Sequence, residues 1–147
     1  MSEIRDYPNC FVCGEKNEIG LKIKFTMSGG AAKAEYTPAR AFEGYKDVLH
    51  GGIISTLLDE VMIYAVFSNG HLAVTSQMEV KFKMPAKIGQ RLRLEGRIKD
   101  DRGRLIFTEG KILNQDGGIV ATATGKYYKA EGTFKKQLEQ NLGLTDP

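Results

Sequence analysis

Two adjacent acids, Asp59 and Glu60, stand in the middle of a strongly apolar stretch, DVLHGGIISTLLDEVMIYAVF, which runs from Asp47 to Phe67. A carboxylate in such surroundings is costly unless it is paired, hydrogen-bonded or opens on a polar cavity. Two readings follow. The acids form a surface-facing pair at a helix edge, or one of them lies in a cleft where partial desolvation keeps it basic enough to activate water. The residues that open the stretch, His50, Gly51 and Gly52, bear on the choice. Where a chain enters a helix, the first backbone N–H groups have no intrahelical partner and the dipole is positive. Glycine lets a substrate carbonyl approach those donors, so the pair reads either as a plain turn or as an oxyanion site. His50 is either a buried, hydrogen-bonded residue or part of that site.

Gly51 and Asp59 are eight residues apart, about 12 Å along a helix at about 1.5 Å per residue. One carbonyl can hardly be held by the first and attacked by water positioned by the second. If both act on one substrate, they come from different subunits, the helix start of one chain facing the mid-helix of another. A second argument agrees. At 100° per residue Ile54, Leu57, Leu58, Val61, Met62 and Ala65 fill one arc, yet Ile53, Ile63, Tyr64 and Val66 fall on the remaining sides. A helix apolar nearly all round is buried nearly all round. One sheet covers only part of it, and a second copy of the subunit is the simplest cover for the rest.

The elements that must position these residues read as follows. Residues 1–20 are an irregular leader. Leu21 to Met27 alternates strictly and reads as a half-buried strand, Ser28 to Gly30 as a turn, and AAKAEYT as a second strand closing a hairpin. Residues 38–50 read as a loop before the helix. From Val74 the period returns to two, with Val74, Ser76, Met78, Val80, Phe82 and Met84 on the helix-facing side and Thr75 on the polar side, until Pro85 ends the strand. RLRLEGRIK, RLIFTEGKIL and IVATATGKYY are further strands, separated by turns at Asp100 to Gly103 and Asn114 to Gly118. TFKKQLEQNLG reads as a terminal helix within a tail from 134 to 147. Six antiparallel strands and one long helix laid on a face of their sheet make an α+β fold in a single domain, 1–147.

Composition narrows the function classes. Of 147 residues, 41% are hydrophobic and 27% charged, which fits one globular domain. The net charge of +3 comes from basic residues scattered over strands. It argues for no nucleic acid and tolerates an anionic small molecule. The N-terminus carries no targeting pattern and no apolar run is long enough to span a bilayer, so the expectation is a cytoplasmic protein without membrane contact. Cys10 and Cys13 form a lone C-x-x-C. Zinc would need two more ligands and the only histidines are His50 and His71, so the expected metal is none and the thiols read as reduced and structural. His71 reads as an exposed loop residue.

With these residues in view, FEGYKDVLHGGIISTLLDE, VTSQMEVKFKMPAKIGQ and GGIVATATGKY resemble the corresponding segments of the hotdog-fold acyl-CoA thioesterases. Within the 4-hydroxybenzoyl-CoA thioesterase superfamily the likeness is to the phenylacetate-pathway branch, and CFVCGEKNEIGLKIKF resembles leaders found there. The resemblance implies a long helix wrapped by a six-stranded antiparallel sheet. It also implies dimerisation into a continuous double sheet, in some cases as a dimer of dimers. The implied activity is hydrolysis of acyl- or aryl-CoA thioesters with no cofactor beyond the coenzyme A of the substrate. Residue by residue, it makes Gly51 the N–H donor to the carbonyl and Asp59 the general base or nucleophile. His50 matches the histidine before the glycines, and Thr75 the hydroxyl that orients the carboxylate or water. Glu60 is the runner-up base. Two departures stand out. An Asn that relatives carry six residues before the histidine is Gly44 here, and Thr75 has the wrong strand parity unless a bulge re-aims it.

For phosphate contacts Lys83, Lys87, Arg102, Arg104 and Lys126 are available, but solvated strand faces explain each equally well and no coenzyme A-binding residue is assigned. Met62, Tyr64 and Phe67 could line either an aryl or a medium-chain acyl pocket. Two rival readings share the fold: a non-catalytic acyl-CoA binder, which usually needs an output module, and a hydratase or dehydratase, which the placing of Asp59 after HGG opposes.

Overall fold

The computed structural model describes residues 7–141. The first six residues of the expected leader and the last six of the expected tail lie outside the described residues. Six strands, β1 (Thr26–Ser28), β2 (Ala31–Tyr36), β3 (Ala73–Phe82), β4 (Leu92–Arg102), β5 (Leu105–Leu113) and β6 (Ile119–Lys129), form one sheet. Its spatial order is β1-β2-β4-β5-β6-β3, antiparallel throughout. The long helix α1 (Gly51–Phe67) lies on one face, and α2 (Gly132–Asn141) follows the sheet. Among the described residues no helix is long and apolar enough to cross a membrane.

The inward faces of the strands are small where the helix crosses them. Gly96 of β4 and Gly110 of β5 are direct cross-strand partners. A Cβ at Gly96 would stand 2.5 Å from the Val61 carbonyl oxygen, and one at Gly110 would stand 3.0 Å from Cγ of Met62. The helix backbone therefore rests on the sheet itself, a distance only glycine allows. Around this contact Ile54, Leu57, Leu58, Val61, Met62, Tyr64, Ala65 and Val66 are all buried. At about 1.5–3 kcal/mol for each large apolar side chain, that burial readily offsets holding one half-buried acid in the same helix. Ser68 closes α1: its Oγ donates to the Ala65 carbonyl at 2.6 Å and accepts from Gly30 N–H at 2.7 Å, which ties the helix end to the β1–β2 turn.

The expected strand from Leu21 to Met27 forms only over Thr26–Ser28. Lys22 takes a left-handed backbone, φ 54°, and the amides of Leu21 and Ile23 bond back to the carbonyls of Phe11 and Val12. The alternation was a burial pattern without a sheet partner: Ile23 is buried and Phe25 stacks on Tyr64 with centroids 4.4 Å apart. The segment after the leader thus covers the Tyr64 side of α1, a side for which the helix pattern calls for a second subunit. The expected turn at Asp100 to Gly103 is also narrower. β4 stays paired to Arg102↔Leu105 and the chain reverses at Gly103, whose φ is +74°. A 3-10 turn at Arg40–Phe42 lies in the expected loop.

The most consequential difference is in β3. Its register with β6 runs Val74↔Tyr128, Thr75↔Tyr127, then Gln77↔Lys126, so Ser76 is an extra residue in a bulge. Before the bulge Ala73 and Thr75 face the helix and Val74 is 39% exposed; after it Met78 and Val80 pack on the core. Val74 and Ser76 are therefore not on the helix face, and Thr75 is.

Candidate active site

Asp59 sits half-buried at mid-helix, opposite the β3 bulge. Thr75 Oγ1 donates to its Oδ1 at 2.8 Å. The Tyr127 hydroxyl donates to the same oxygen at 2.9 Å and lies 3.1 Å from the Asp59 carbonyl oxygen. Two hydroxyls on one carboxylate oxygen fix the plane of the group, and Oδ2 has no donor among the described residues. The bulge makes this possible. By adding one residue it puts Thr75 on the inward parity, directly across from Tyr127, whose ring is fully buried. Burial, and then the charge of Asp59, push the Tyr127 phenol well above the ordinary tyrosine range, so the hydroxyl stays a donor.

The start of α1 forms the second cluster. His50 is the N-cap, with φ −59° and ψ 134°, and its Nδ1 accepts from Gly52 N–H at 2.8 Å. That bond leaves the ring proton on Nε2. It also uses up Gly52 as a donor, whereas the Gly51 N–H has no acceptor among the described residues. A Cβ at Gly51 would touch only the ring of Phe82, at 3.6 Å. Gly44, where relatives were expected to carry Asn, lies against His50: its Cβ would stand 3.3 Å from His50 Cα and 3.4 Å from Cδ2. Glycine here gives the histidine its place.

Glu60 does not join Asp59. One residue on, about 100° round the helix, it faces the leader, where Cys10 Sγ lies 3.4 Å from its Oε1. Burial raises Glu60 from the ordinary carboxylate range to about 8. The Cys13 thiol is the main cause that lowers Cys10 to about 5. Cys13 in turn is pushed up, by its bond to Cys10 and then by burial. Met62 is also withdrawn from any acyl pocket, since its side chain fills the space over Gly110 and Gly125. Tyr64 is 4% exposed beneath Phe25, with Phe67 edge-on to it. His71 is half-buried, 3.5 Å from Asp101, rather than a free loop residue.

Of the basic candidates, Arg102 is paired with Asp100 and Arg104 with Glu131, and Lys126 lies over the Phe107 ring. Lys83 and Lys87 have no ion pair among the described residues. Lys87 bridges Val48, two residues before His50.

Sequence reasoning brought Asp59, Thr75, Gly51 and His50 forward and gave Tyr127 no role. The signal for Tyr127 was available in the alternation of β6, where Ala121, Ala123, Gly125 and Tyr127 share the buried face.

Comparison with known proteins agrees with this architecture. The chain is 29% identical over 117 residues to the fission yeast protein C26H8.11c (78% of this chain, 65% of that one). It is 28% identical over 96 residues to the acyl-coenzyme A thioesterase THEM4 of Xenopus laevis (64% of this chain, 43% of that one). It therefore spans less than two thirds of the length of either relative. Among solved structures, the PaaI protein from the phenylacetic acid degradation operon of Escherichia coli superposes with a TM-score of 0.70. It shares 27% identity, with 74% of this chain and 83% of that one covered. The six-stranded sheet and its helix are the hotdog fold, which this structure shares. Residues 46–121, which include His50, Gly51, Asp59 and Thr75, match the family model of the thioesterase superfamily. That span is just over half of the chain, and the protein belongs to the thioesterase superfamily.

Proposed function

We propose that the protein hydrolyses thioesters of coenzyme A, with Asp59 as general base and the Gly51 N–H as oxyanion donor. One observation carries the reading: a half-buried carboxylate held through one oxygen by Thr75 and Tyr127, with the other oxygen free to take a water. Asp59 removes a proton from that water as its oxygen attacks the thioester carbon. The carbonyl oxygen gains charge against the Gly51 N–H, with the His50 Nε2–H as a second donor in place of the Asn that Gly44 replaces. Collapse breaks the C–S bond, and the coenzyme A thiolate leaves and takes up the proton held by Asp59. A thioester is already activated, so one carboxylate and one or two donors are enough.

The two clusters belong to different subunits in this reading, because about 12 Å of helix separates them within one chain. The exposed edge of β3 is where the second subunit joins. It is ten residues long, lies at the end of the sheet and carries the exposed Val74 and Phe82. An unpaired edge of that length invites a partner strand. Pairing there brings the Phe82 and Gly51 end of one chain toward the bulge and Asp59 of its partner. Lys83 and Lys87, on the same side, receive the phosphates. The acyl group, aryl or medium-chain, is set by residues from the helix start and the partner, since Met62 and Tyr64 are already packed away.

The test is release of free thiol from a panel of acyl- and aryl-CoA thioesters by wild type and Asp59→Asn. Loss of about a hundredfold or more, the scale of general-base catalysis, is expected. Turnover that survives the substitution refutes the assignment, and coenzyme A ester binding without turnover of any ester would favour the binder.

A further inference from the structure

The thiol pair of the leader lies outside the span matched by the family model and plays no part in the hydrolytic reading. Its surroundings are specific. Cys10 and Cys13 lie on a tight turn in which the Cys13 N–H points at Cys10 Sγ, 3.5 Å away, and the Gly14 N–H bonds to the Cys10 carbonyl at 2.9 Å. The turn has room for no side chain at Gly14, where a Cβ would stand 2.4 Å from the Cys10 nitrogen and 2.5 Å from the Pro8 carbonyl oxygen. The Cys13 amide aimed at the Cys10 sulfur and a glycine right after the second cysteine build a knuckle that holds the two thiol groups close together. The third group comes from the helix. Ligand atoms of Cys10, Cys13 and Glu60 all lie within 4.8 Å of one another. Glu60 has no ion pair among the described residues to balance its carboxylate.

The distances suit a tetrahedral cation. With metal–sulfur bonds of about 2.3 Å and metal–oxygen bonds of about 2.0–2.2 Å, a sulfur and an oxygen on one tetrahedron are about 3.6 Å apart. Cys10 Sγ and Glu60 Oε1 are 3.4 Å apart. We infer that Cys10, Cys13 and Glu60 form a binding site for Zn²⁺, which clamps the leader to α1. Two thiolates select a borderline-soft ion over magnesium or calcium, and a dication offsets two of the three negative charges that Cys10, Cys13 and Glu60 would bring as ligands. Three protein ligands leave a fourth position, which opens outward because Cys10 and Glu60 are only half-buried whereas Cys13 is 5% exposed. Along the sequence only His50 and His71 suggest themselves as further ligands, which is why no metal is expected there. The third ligand is an acid forty-seven residues after Cys13, brought in by the fold. The site is independent of Asp59 chemistry, since it faces the leader side of the helix.

The test uses the full chain, reduced and stripped with chelator, titrated with Zn²⁺ against a chromogenic competitor and separately with Co²⁺. One equivalent per chain is expected, with a thiolate-to-cobalt charge-transfer band and tetrahedral visible bands. Cys13→Ser should abolish the charge transfer. Glu60→Gln should weaken Zn²⁺ affinity by about tenfold or more, at least the effect of losing an outer-shell partner. A readout that needs no variant is proteolysis: Zn²⁺ should slow tryptic cleavage after the exposed Lys16 and Lys22 of the wild-type leader. No tight binding with both thiols counted free, an octahedral cobalt spectrum, or affinity unchanged in Glu60→Gln would each overturn the site.

Discussion

Replacing Gly51 by proline removes one hydrogen-bond donor and leaves its surroundings almost untouched. Gly51 is the first residue of α1, the position where proline is best tolerated, because the missing N–H has no helical acceptor. The preceding residue must avoid the helical region, and His50 already does, with φ −59° and ψ 134°. The new ring has space, since a Cβ at this position meets Phe82 only at 3.6 Å, an ordinary contact. The His50 cap is kept, because it uses the Gly52 N–H. Stability should therefore hold or rise. Exchanging a glycine for a residue with fewer unfolded conformations contributes about 0.4–1 kcal/mol, or up to about 2–4 °C in Tm for a chain of this size.

Activity should move the other way. Losing one oxyanion donor costs about 2.7–4 kcal/mol in the barrier, about 10²- to 10³-fold in kcat. KM should change little, because the donor acts on charge that develops in the transition state. Gly51→Ala, which keeps the N–H, is the matched control and should stay within a few-fold of wild type. The assay is thiol release at saturating thioester, with Tm measured on the same preparations. Gly51→Pro that folds normally and retains kcat within about threefold would refute the placing of the oxyanion at this amide.

Tyr127→Phe keeps the buried ring and removes a donor to a carboxylate, worth about 1.5–3 kcal/mol. At about 1.36 kcal/mol per tenfold, kcat should fall about 10- to 150-fold. The deficit should be constant from about pH 6 to about pH 10, because burial and the Asp59 charge hold the phenol protonated above its ordinary value near 10. Since Thr75 bonds the same oxygen, Thr75→Val combined with it should cost more than the product of the single losses, which a double-mutant cycle in kcat measures. Gly96→Ala pushes a methyl into the Val61 carbonyl, a backbone atom that cannot swing aside, and should cost about 3 kcal/mol of stability, read as a lower urea midpoint at unchanged m. Lys87→Glu should raise KM for coenzyme A esters about tenfold with kcat unchanged, an effect that shrinks as salt screens the phosphates.

The sequence disclosed the fold where a local period equalled a structural one. Alternation located β4, the turn signals at Asp100 to Gly103 and Asn114 to Gly118 bounded β5 and β6, and the dense apolar run located α1. The lost cases share a cause, which is that periodicity reports burial and not hydrogen bonding. Leu21 to Met27 alternates because Ile23 and Phe25 cover the helix, yet the amides of Leu21 and Ile23 bond to the leader. In β3 the count from Val74 assigns every residue to a face by parity, and one extra residue at Ser76 reverses the assignment of the residues before it. That bulge leaves no composition signal. Thr75 could be named from a family resemblance but could be placed only by its register against Tyr127. Tyr127 itself, sixty-eight residues from Asp59 along the chain, follows from that register.

The paired acids show most directly how one local choice serves two ends. A rotation of about 100° between neighbours sends Asp59 toward the sheet and Glu60 toward the leader, so the two carboxylates share a helix but no surroundings. Asp59 meets hydroxyls, which hold one of its oxygens in place. Glu60 meets thiols and apolar burial, which favour either a proton or a metal ion. The environments are built by opposite ends of the chain, Tyr127 near the C-terminus and Cys10 near the N-terminus, both converging on the middle of α1. Exchanging the two acids, Asp59→Glu with Glu60→Asp, conserves composition and charge, yet it lengthens the side chain between Thr75 and Tyr127 and withdraws the carboxylate from the cysteines. The exchange should abolish thiol release and weaken zinc binding by about tenfold, while leaving the helical content of the protein as it was.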